Sequence, residues 1–140
     1  MLKISDAANL AFHAMLLLST KSAAEPLSVQ GLADTLHVSD NHLSKVMQRL
    51  SKAGLVASRR GPHGGFYLAK PPAAIRLNDI YTVIEGPLAE AGCLLDKPLC
   101  EGSCCLLGNL LASVHEQIRF HLVNTTLEDV RDRLPCSVLD

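Results

Sequence analysis

The sequence predicts a mainly α fold carrying one small β-hairpin, with a long helix near the C-terminus. Three observations predict it. Two short amphipathic stretches, each headed by a serine, lie close together between residues 28 and 53. Two short strand-like runs flank the pair Gly64-Gly65. From 104 to 123, apolar residues recur at three- and four-residue steps, the period of a helix with one buried seam. At 140 residues and 48% apolar content, the chain is one ordinary domain that can build a core without staples.

The first helix is expected from about Ser5 to Thr20, with Ala7, Leu10, Ala11, Ala14, Met15 and Leu18 on one face. Glu25-Pro26 breaks the pattern. Ser28 is the expected N-cap of a second helix whose inner face is Val29, Leu32, Ala33 and Leu36. His37-Val38 make a tight connection. Ser39 caps a third helix with Leu43, Val46, Met47 and Leu50 inside, and Gly54 stands just past its end. Two short helices so joined form a helix-turn-helix.

Strands follow at 55–60 and 66–69, joined by 61–65, whose glycines supply positive-φ positions. A hairpin directly after the third helix is a wing, and Lys70-Pro71-Pro72 stops its second strand. Asn78 is the expected cap of a helix through Glu85 that buries Ile80, Val83 and Ile84. Residues 86–103 show no periodicity and form a loop, long enough to be functional. In the long helix, expected from about Cys104 to Val123, the seam is Leu107, Leu111, Val114, Ile118 and Leu122, with Leu106 and Leu110 beside it. Such a seam needs a partner. The same helix of a second subunit, across a two-fold axis, is the economical one; packing back onto its own helices is the alternative. Thr126 caps a short last helix with Leu127, Val130 and Leu134, closed by Pro135. The organisation is thus a winged helix-turn-helix region at 1–86, a cysteine loop at 87–103, and a dimerisation helix with its short successor at 104–140.

Charge is unevenly distributed. The stretch 41–78 contains no acidic residue but holds Lys45, Arg49, Lys52, Arg59, Arg60, Lys70 and Arg76. The rest of the chain then carries six basic residues against fourteen acidic ones, a net charge of −8. A basic segment in an acidic chain reads as a polyanion-binding surface. On the third helix, Asn41 and His42 lie in the first turns, which a helix presented to the major groove brings to base edges. Lys45 and Arg49, further along, are expected at phosphates. Ser28 and Ser39 sit at helix starts, where phosphate binds readily. In the wing, Arg59, Arg60 and His63, with Gly64 and Gly65, are expected to approach a minor groove. The expected partner is double-stranded DNA. A protein-interaction module is the competing class, and the acid-free stretch speaks against it. No glycine-rich phosphate loop, catalytic triad or acid pair points to an enzyme.

Five cysteines stand at 93, 100, 104, 105 and 136. An odd count, with no export signal at the start, argues against a disulfide framework and for a cytoplasmic protein. No run of roughly 18 to 20 apolar residues offers a membrane span. Four of the cysteines cluster at 93–105, which points to a metal or redox site. Thiolates ligate iron–sulfur clusters, whereas the spacing lacks the close pairs of structural zinc. A thiol–disulfide switch between Cys100 and Cys104 or Cys105 is the main competitor. Cys104 and Cys105 bridge each other poorly, because adjacent residues strain a disulfide. Cys136 stands apart as a small apolar residue.

The run Arg60-Gly61-Pro62-His63-Gly64-Gly65-Phe66-Tyr67-Leu68-Ala69-Lys70-Pro71 resembles the wing signature of the Rrf2 family of bacterial regulators. So do Leu50-Ser51-Lys52-Ala53-Gly54-Leu55-Val56, the cysteine loop and Asn124-Thr125-Thr126-Leu127-Glu128-Asp129-Val130. The likeness covers nearly the whole chain and is nearest to the NsrR/IscR branch. It implies a homodimer that represses promoters at palindromic operators, with Arg60 at the minor groove. It further implies an iron–sulfur cluster, of two or four irons, on Cys93, Cys100 and Cys105, sensing nitric oxide, redox or cluster status. Two departures stand out. The positions that supply a fourth ligand in the family hold Asn9 and Gly108, although His13 is one turn from Asn9. Cys104 is an extra thiol that could replace Cys105. The alternative implied by these departures is a cluster-free repressor controlled by thiol oxidation or a protein partner.

Overall fold

A serine heads each of the first three helices and decides where it begins. The computed structural model describes residues 4–90, 92, 93, 95, 97 and 105–135. In α1 (Asp6–Ser19), α2 (Val29–Leu36) and α3 (Asp40–Lys52), the hydroxyls of Ser5, Ser28 and Ser39 accept from the N–H groups of Ala8, Gly31 and His42. Each hydroxyl thereby satisfies a first-turn donor that has no intrahelical partner.

Leu10, Ala11, Ala14, Met15 and Leu18 of α1 are buried as expected, with Ala8 rather than Ala7 completing the face. Leu43, Val46, Met47 and Leu50 of α3 are all buried. On α2 only Leu32 and Ala33 are fully buried, while Val29 and Leu36 stand at the margin. The α2–α3 turn places His37 at φ 53, and the Val38 N–H reaches back to the Ala33 carbonyl at 3.0 Å. This is a helix-ending turn that glycine usually fills. Gly54, at φ 75, ends α3 in the same way, with the Leu55 N–H bonded to the Leu50 carbonyl.

The wing pairs β1 (Val56–Arg59) with β2 (Gly65–Leu68), antiparallel, in the register Val56↔Leu68 to Arg59↔Gly65. Leu27 adds a short bridge on the outer edge of β2, exchanging two backbone bonds with Phe66 at 2.9 and 2.7 Å. The wing is thus joined to the residue just before the α2 cap.

Beyond a 3-10 turn at Pro72–Ala74 comes α4 (Leu77–Glu85), which buries Ile80, Tyr81 and Ile84. Its cap is the Arg76 backbone, whose N–H donates to the Asp79 carboxylate at 2.8 Å. Asn78, the expected cap, is instead a helical residue. The long helix, α5 (Leu110–Asn124), is shorter than its apolar pattern implied. Gly108 takes φ 53 and 106–109 form turns, so the helix starts at 110 rather than near 104. Among the α5 residues only Leu122 is buried. Finally α6 (Leu127–Arg131) is capped by Thr126. Backbone bonds Leu77 N–H to Thr125 O and Leu127 N–H to Ile75 O tie its start to the chain leaving the wing. Leu127 belongs to the same core as α1 to α4, so α6 is part of the head rather than an appendage to α5. Among the described residues, no helix is long and apolar enough to cross a membrane.

Candidate nucleic-acid interface

The capping of α3 by Ser39 orients the helix start outward, and the buried row Leu43, Val46, Met47 and Leu50 presses the opposite face into the core. What remains exposed is Asn41, His42, Lys45, Gln48, Arg49 and Lys52, with Ser44 half-buried. Asn41 and His42 are brought together in the first turn, beside Asp40, which sequence reasoning overlooked. Asp40 complements the positive end of the helix dipole. It is also an acceptor suited to the cytosine amine in a major groove. The signal for it was available, since Asp40 directly follows the cap serine.

The hydroxyls of Ser28 and Ser39 are occupied as acceptors, at 3.0 and 3.3 Å, yet each keeps its own proton to donate. Both residues are exposed, so a phosphate oxygen can approach either helix start.

The basic residues divide into two groups. Arg49 turns away from the outer face and donates from one terminal nitrogen to the carbonyls of Val83 (3.0 Å) and Ile84 (2.7 Å) at the end of α4. Arg59 donates to the Ala23 carbonyl at 3.2 Å and lies 5.9 Å from the Tyr67 ring centroid. Arg76 donates to the Val123 carbonyl at the end of α5. These three cations serve helix ends and loop carbonyls, where a positive charge meets orphan acceptors. Arg49 thus has a structural role beside the expected phosphate contact, remaining exposed, and Arg59 is held against the α1–α2 loop. Lys45, Lys52, Arg60 and Lys70 are exposed and make no hydrogen bond or ion pair among the described residues. Lys45 on α3 and Arg60 at the wing tip are thus exposed cations, with His63 exposed beside Arg60's turn.

Gly64 and Gly65 are needed by the wing itself. A Cβ on Gly65 would lie 2.5 Å from the Leu27 carbonyl carbon and oxygen, at φ 152, and a Cβ on Gly64 would collide with the Arg59 carbonyl. Their expected part in DNA contact comes second to this close approach of two backbones.

Of the proposed cluster ligands, Cys93 is exposed and Cys105 half-buried. Cys100 and the extra thiol Cys104 lie outside the described residues. Asn9 is exposed on α1, and Gly108 is a turn glycine without a side chain to offer. The His13 Nδ1 is paired with the Asn9 carbonyl at 2.8 Å. Among the described residues no three His, Cys, Asp or Glu side chains gather as a metal site. Asn9 and Gly108 thus bring no thiolate, imidazole or carboxylate to the two positions where the family's fourth ligand was expected.

On the exposed side of α5, Glu116 and Arg119 pair; the hydrogen bond from Arg119 holds the Glu116 carboxyl below its ordinary range. A solvent-exposed pair of this kind adds little stability. Elsewhere on α5, Leu110, Val114 and Phe120 are exposed and Leu111 and Ile118 half-buried.

Comparison with known proteins returns regulators. The Rrf2 family, described as iron-dependent transcriptional regulators, matches residues 4–133. The chain is 32% identical to the HTH-type transcriptional regulator CymR of Bacillus subtilis over 129 residues, 92% of this chain and 89% of that one. The solved structure of that protein, described as the global cysteine regulator, superposes with a TM-score of 0.80 over 96% of this chain and 100% of its own. The oxidized form of Staphylococcus aureus CymR is 27% identical with a TM-score of 0.75, covering 96% of this chain and 99% of that one. IscR of T. potens is 28% identical with a TM-score of 0.74, covering 97% of this chain and 90% of that one.

Proposed function

This chain belongs to the Rrf2 family of transcriptional regulators, and from that premise we propose that it is a homodimeric repressor governed by the thiols of its cysteine loop. Two α3 helices, one per subunit, read a palindromic operator in successive major grooves. Asn41 and His42 contact base edges, Asp40 adds an acceptor, and Lys45, Ser28 and Ser39 hold phosphates. Arg60 and His63 carry the wing to the flanking minor groove, where narrow width favours arginine. The observation that carries this reading is the exposed, acid-poor α3 face with its free Lys45, backed by a fully buried opposite face.

The dimer reading is supported by α5, whose Leu110 and Val114 are exposed and whose Leu111 and Ile118 are only half-buried among the described residues. A two-fold partner α5 covers such a stripe. An apolar-to-acid change at Val114 is expected to shift the protein toward monomer in sedimentation.

The thiol reading is supported by the four thiols crowded at 93–105 and by the likeness to two CymR structures, one described as the global cysteine regulator and the other as an oxidized form. In this reading Cys100 and Cys104 or Cys105 lose two protons and two electrons to a peroxide, which leaves as two waters, and a disulfide forms. The iron–sulfur reading on Cys93, Cys100 and Cys105 is favoured by the family's iron-dependent description and the likeness to IscR. In that reading Cys104 is the further thiol beside those three, since Asn9 and Gly108 offer no thiolate, imidazole or carboxylate.

The deciding experiment is purification without oxygen, followed by absorption spectroscopy and iron and sulfide analysis. A colourless protein whose DNA affinity changes with peroxide, and no longer does so in Cys100→Ser or Cys105→Ser, fits the thiol reading. A brown protein whose visible bands vanish in Cys93→Ala, Cys100→Ala or Cys105→Ala overturns it in favour of the cluster.

A further inference from the structure

The last turn of α4 lies between the recognition helix and the cysteine loop. Its final carbonyls, like those of any helix, have no intrahelical partner and carry the negative end of the dipole. Arg49, in the last turn of α3, answers two of them with one nitrogen, at 3.0 Å to Val83 and 2.7 Å to Ile84. A guanidinium bonding carbonyls in this way makes stronger contacts than a neutral donor. On the other side of the same turn, the Glu85 carboxylate accepts from the Ser5 N–H at 2.8 Å, joining the start of α1. Directly after Glu85, Gly86 turns the chain at φ 86 into the loop, and Cys93 follows seven positions later.

We infer that Arg49 is a positioning residue for DNA binding: it fastens the end of α4, and thus the root of the cysteine loop, to the recognition helix. Movement of the loop root is then felt by α3 through this bridge, while the neighbouring Val46 and Leu50 stay packed. Arg49 therefore sets the attitude of α3 on DNA without touching a phosphate. The inference rests on α3 being the DNA-reading helix and, for the response to the loop, on the thiol reading above.

The test uses the full-length protein and a fluorescein-labelled duplex selected by the wild type from a random-sequence pool. Arg49→Met keeps the stem and loses the donors. Arg49→Lys keeps the charge on a shorter stem whose ammonium does not reach the place of the Arg49 terminal nitrogen. Lys45→Ala serves as the phosphate control. Affinity is measured across a salt series on reduced and peroxide-treated protein, alongside amide hydrogen exchange in the last turns of α3 and α4. Both Arg49 variants are expected to bind about tenfold more weakly with an unchanged salt slope, whereas Lys45→Ala flattens the slope by about one. Both should also exchange faster at the end of α4 and lose the difference between reduced and oxidized protein. Gly86→Ala gives an independent route, since it strains the same turn from a position with no neighbour within 4 Å of the new Cβ. It is expected to weaken binding at unchanged slope as well, and it decides the matter if Arg49→Met does not fold.

A flattened slope in Arg49→Met that Arg49→Lys restores would make Arg49 a phosphate contact and overturn the inference. Unchanged affinity and unchanged exchange would overturn it equally. If the wild type itself ignores peroxide, the thiol reading falls, while salt slope and exchange still decide whether Arg49 is the strut.

Discussion

Gly65→Ala probes whether the wing and the helix-turn-helix form one unit. At Gly65 the backbone runs against Leu27 so closely that an added Cβ would sit 2.5 Å from the Leu27 carbonyl and 2.8 Å from the Ser28 nitrogen. Neither neighbour is a flexible side-chain end, so the two strands must part. That separation removes the paired bonds between Leu27 and Phe66, at 2.9 and 2.7 Å, worth about 1 kcal/mol each. The φ of 152 adds about 1–3 kcal/mol for a residue with a Cβ. The expected loss is about 3–5 kcal/mol, a large part of the stability of a domain this size. Gly61→Ala is the control, because its φ of 113 is unfavourable but its Cβ meets nothing within 4 Å. It should cost only the backbone part. Urea unfolding at neutral pH reads both values from the shift in midpoint at constant slope. If Gly65→Ala cost no more than Gly61→Ala, the reasoning that the wing glycine exists for the Leu27 contact would be refuted.

Four further outcomes follow from the same geometry. Leu43→Ala, at a site with no solvent exposure, should cost about 2–5 kcal/mol in urea unfolding. His37→Gly should stabilise the domain by about 1 kcal/mol, because His37 sits at φ 53 without the freedom of glycine; a neutral or destabilising result would mean the imidazole makes a compensating contact. Asn41→Ala should reduce discrimination between operator variants by about 1–3 kcal/mol and leave the salt slope alone, measured by competition anisotropy. For Asp129, the Thr126 backbone N–H and then its hydroxyl hold the carboxyl below the usual range. The folded value lies below the unfolded one, so the stabilisation is present above the unfolded carboxylate range and is lost as pH falls through the lowered folded value. The gap in urea midpoint between wild type and Asp129→Asn should accordingly close on acidification, and a gap constant with pH would show that the cap does not depend on charge.

Local chemistry made much of this fold readable. Ser5, Ser28 and Ser39 cap helices because each hydroxyl needs only a donor three residues on, a relation contained in the sequence. Gly54 was readable for the same reason. The α4 cap was harder, because Arg76 contributes only its backbone and the informative residue is Asp79, three positions later. Gly108 was a visible stop signal that the surrounding leucines outweighed. The arginines were not readable, since their acceptors stand 34 to 47 positions away and are backbone carbonyls without a sequence signature. A charge count therefore does not show that Arg49, Arg59 and Arg76 also serve carbonyls of their own chain.

The same distinction bears on how a signal could travel. α5 is 15 residues long, with one buried side chain, and a helix of that length is marginal in water on its own. Its formation is then coupled to whatever covers its seam, which in the dimer reading is a second α5. At its far end it is fastened to the head, where Arg76 holds the Val123 carbonyl and Thr125 accepts from Leu77. The cysteine loop therefore joins α4, tied to α3 by Arg49, to α5, which in the dimer reading depends on its partner. A chemical change that shortens or stiffens such a connection has less resistance to overcome at α5 than within the core of α1 to α4. In the thiol reading a loop thiol therefore has two outlets, the attitude of α3 through α4 and Arg49, and the relative placement of the two heads through α5.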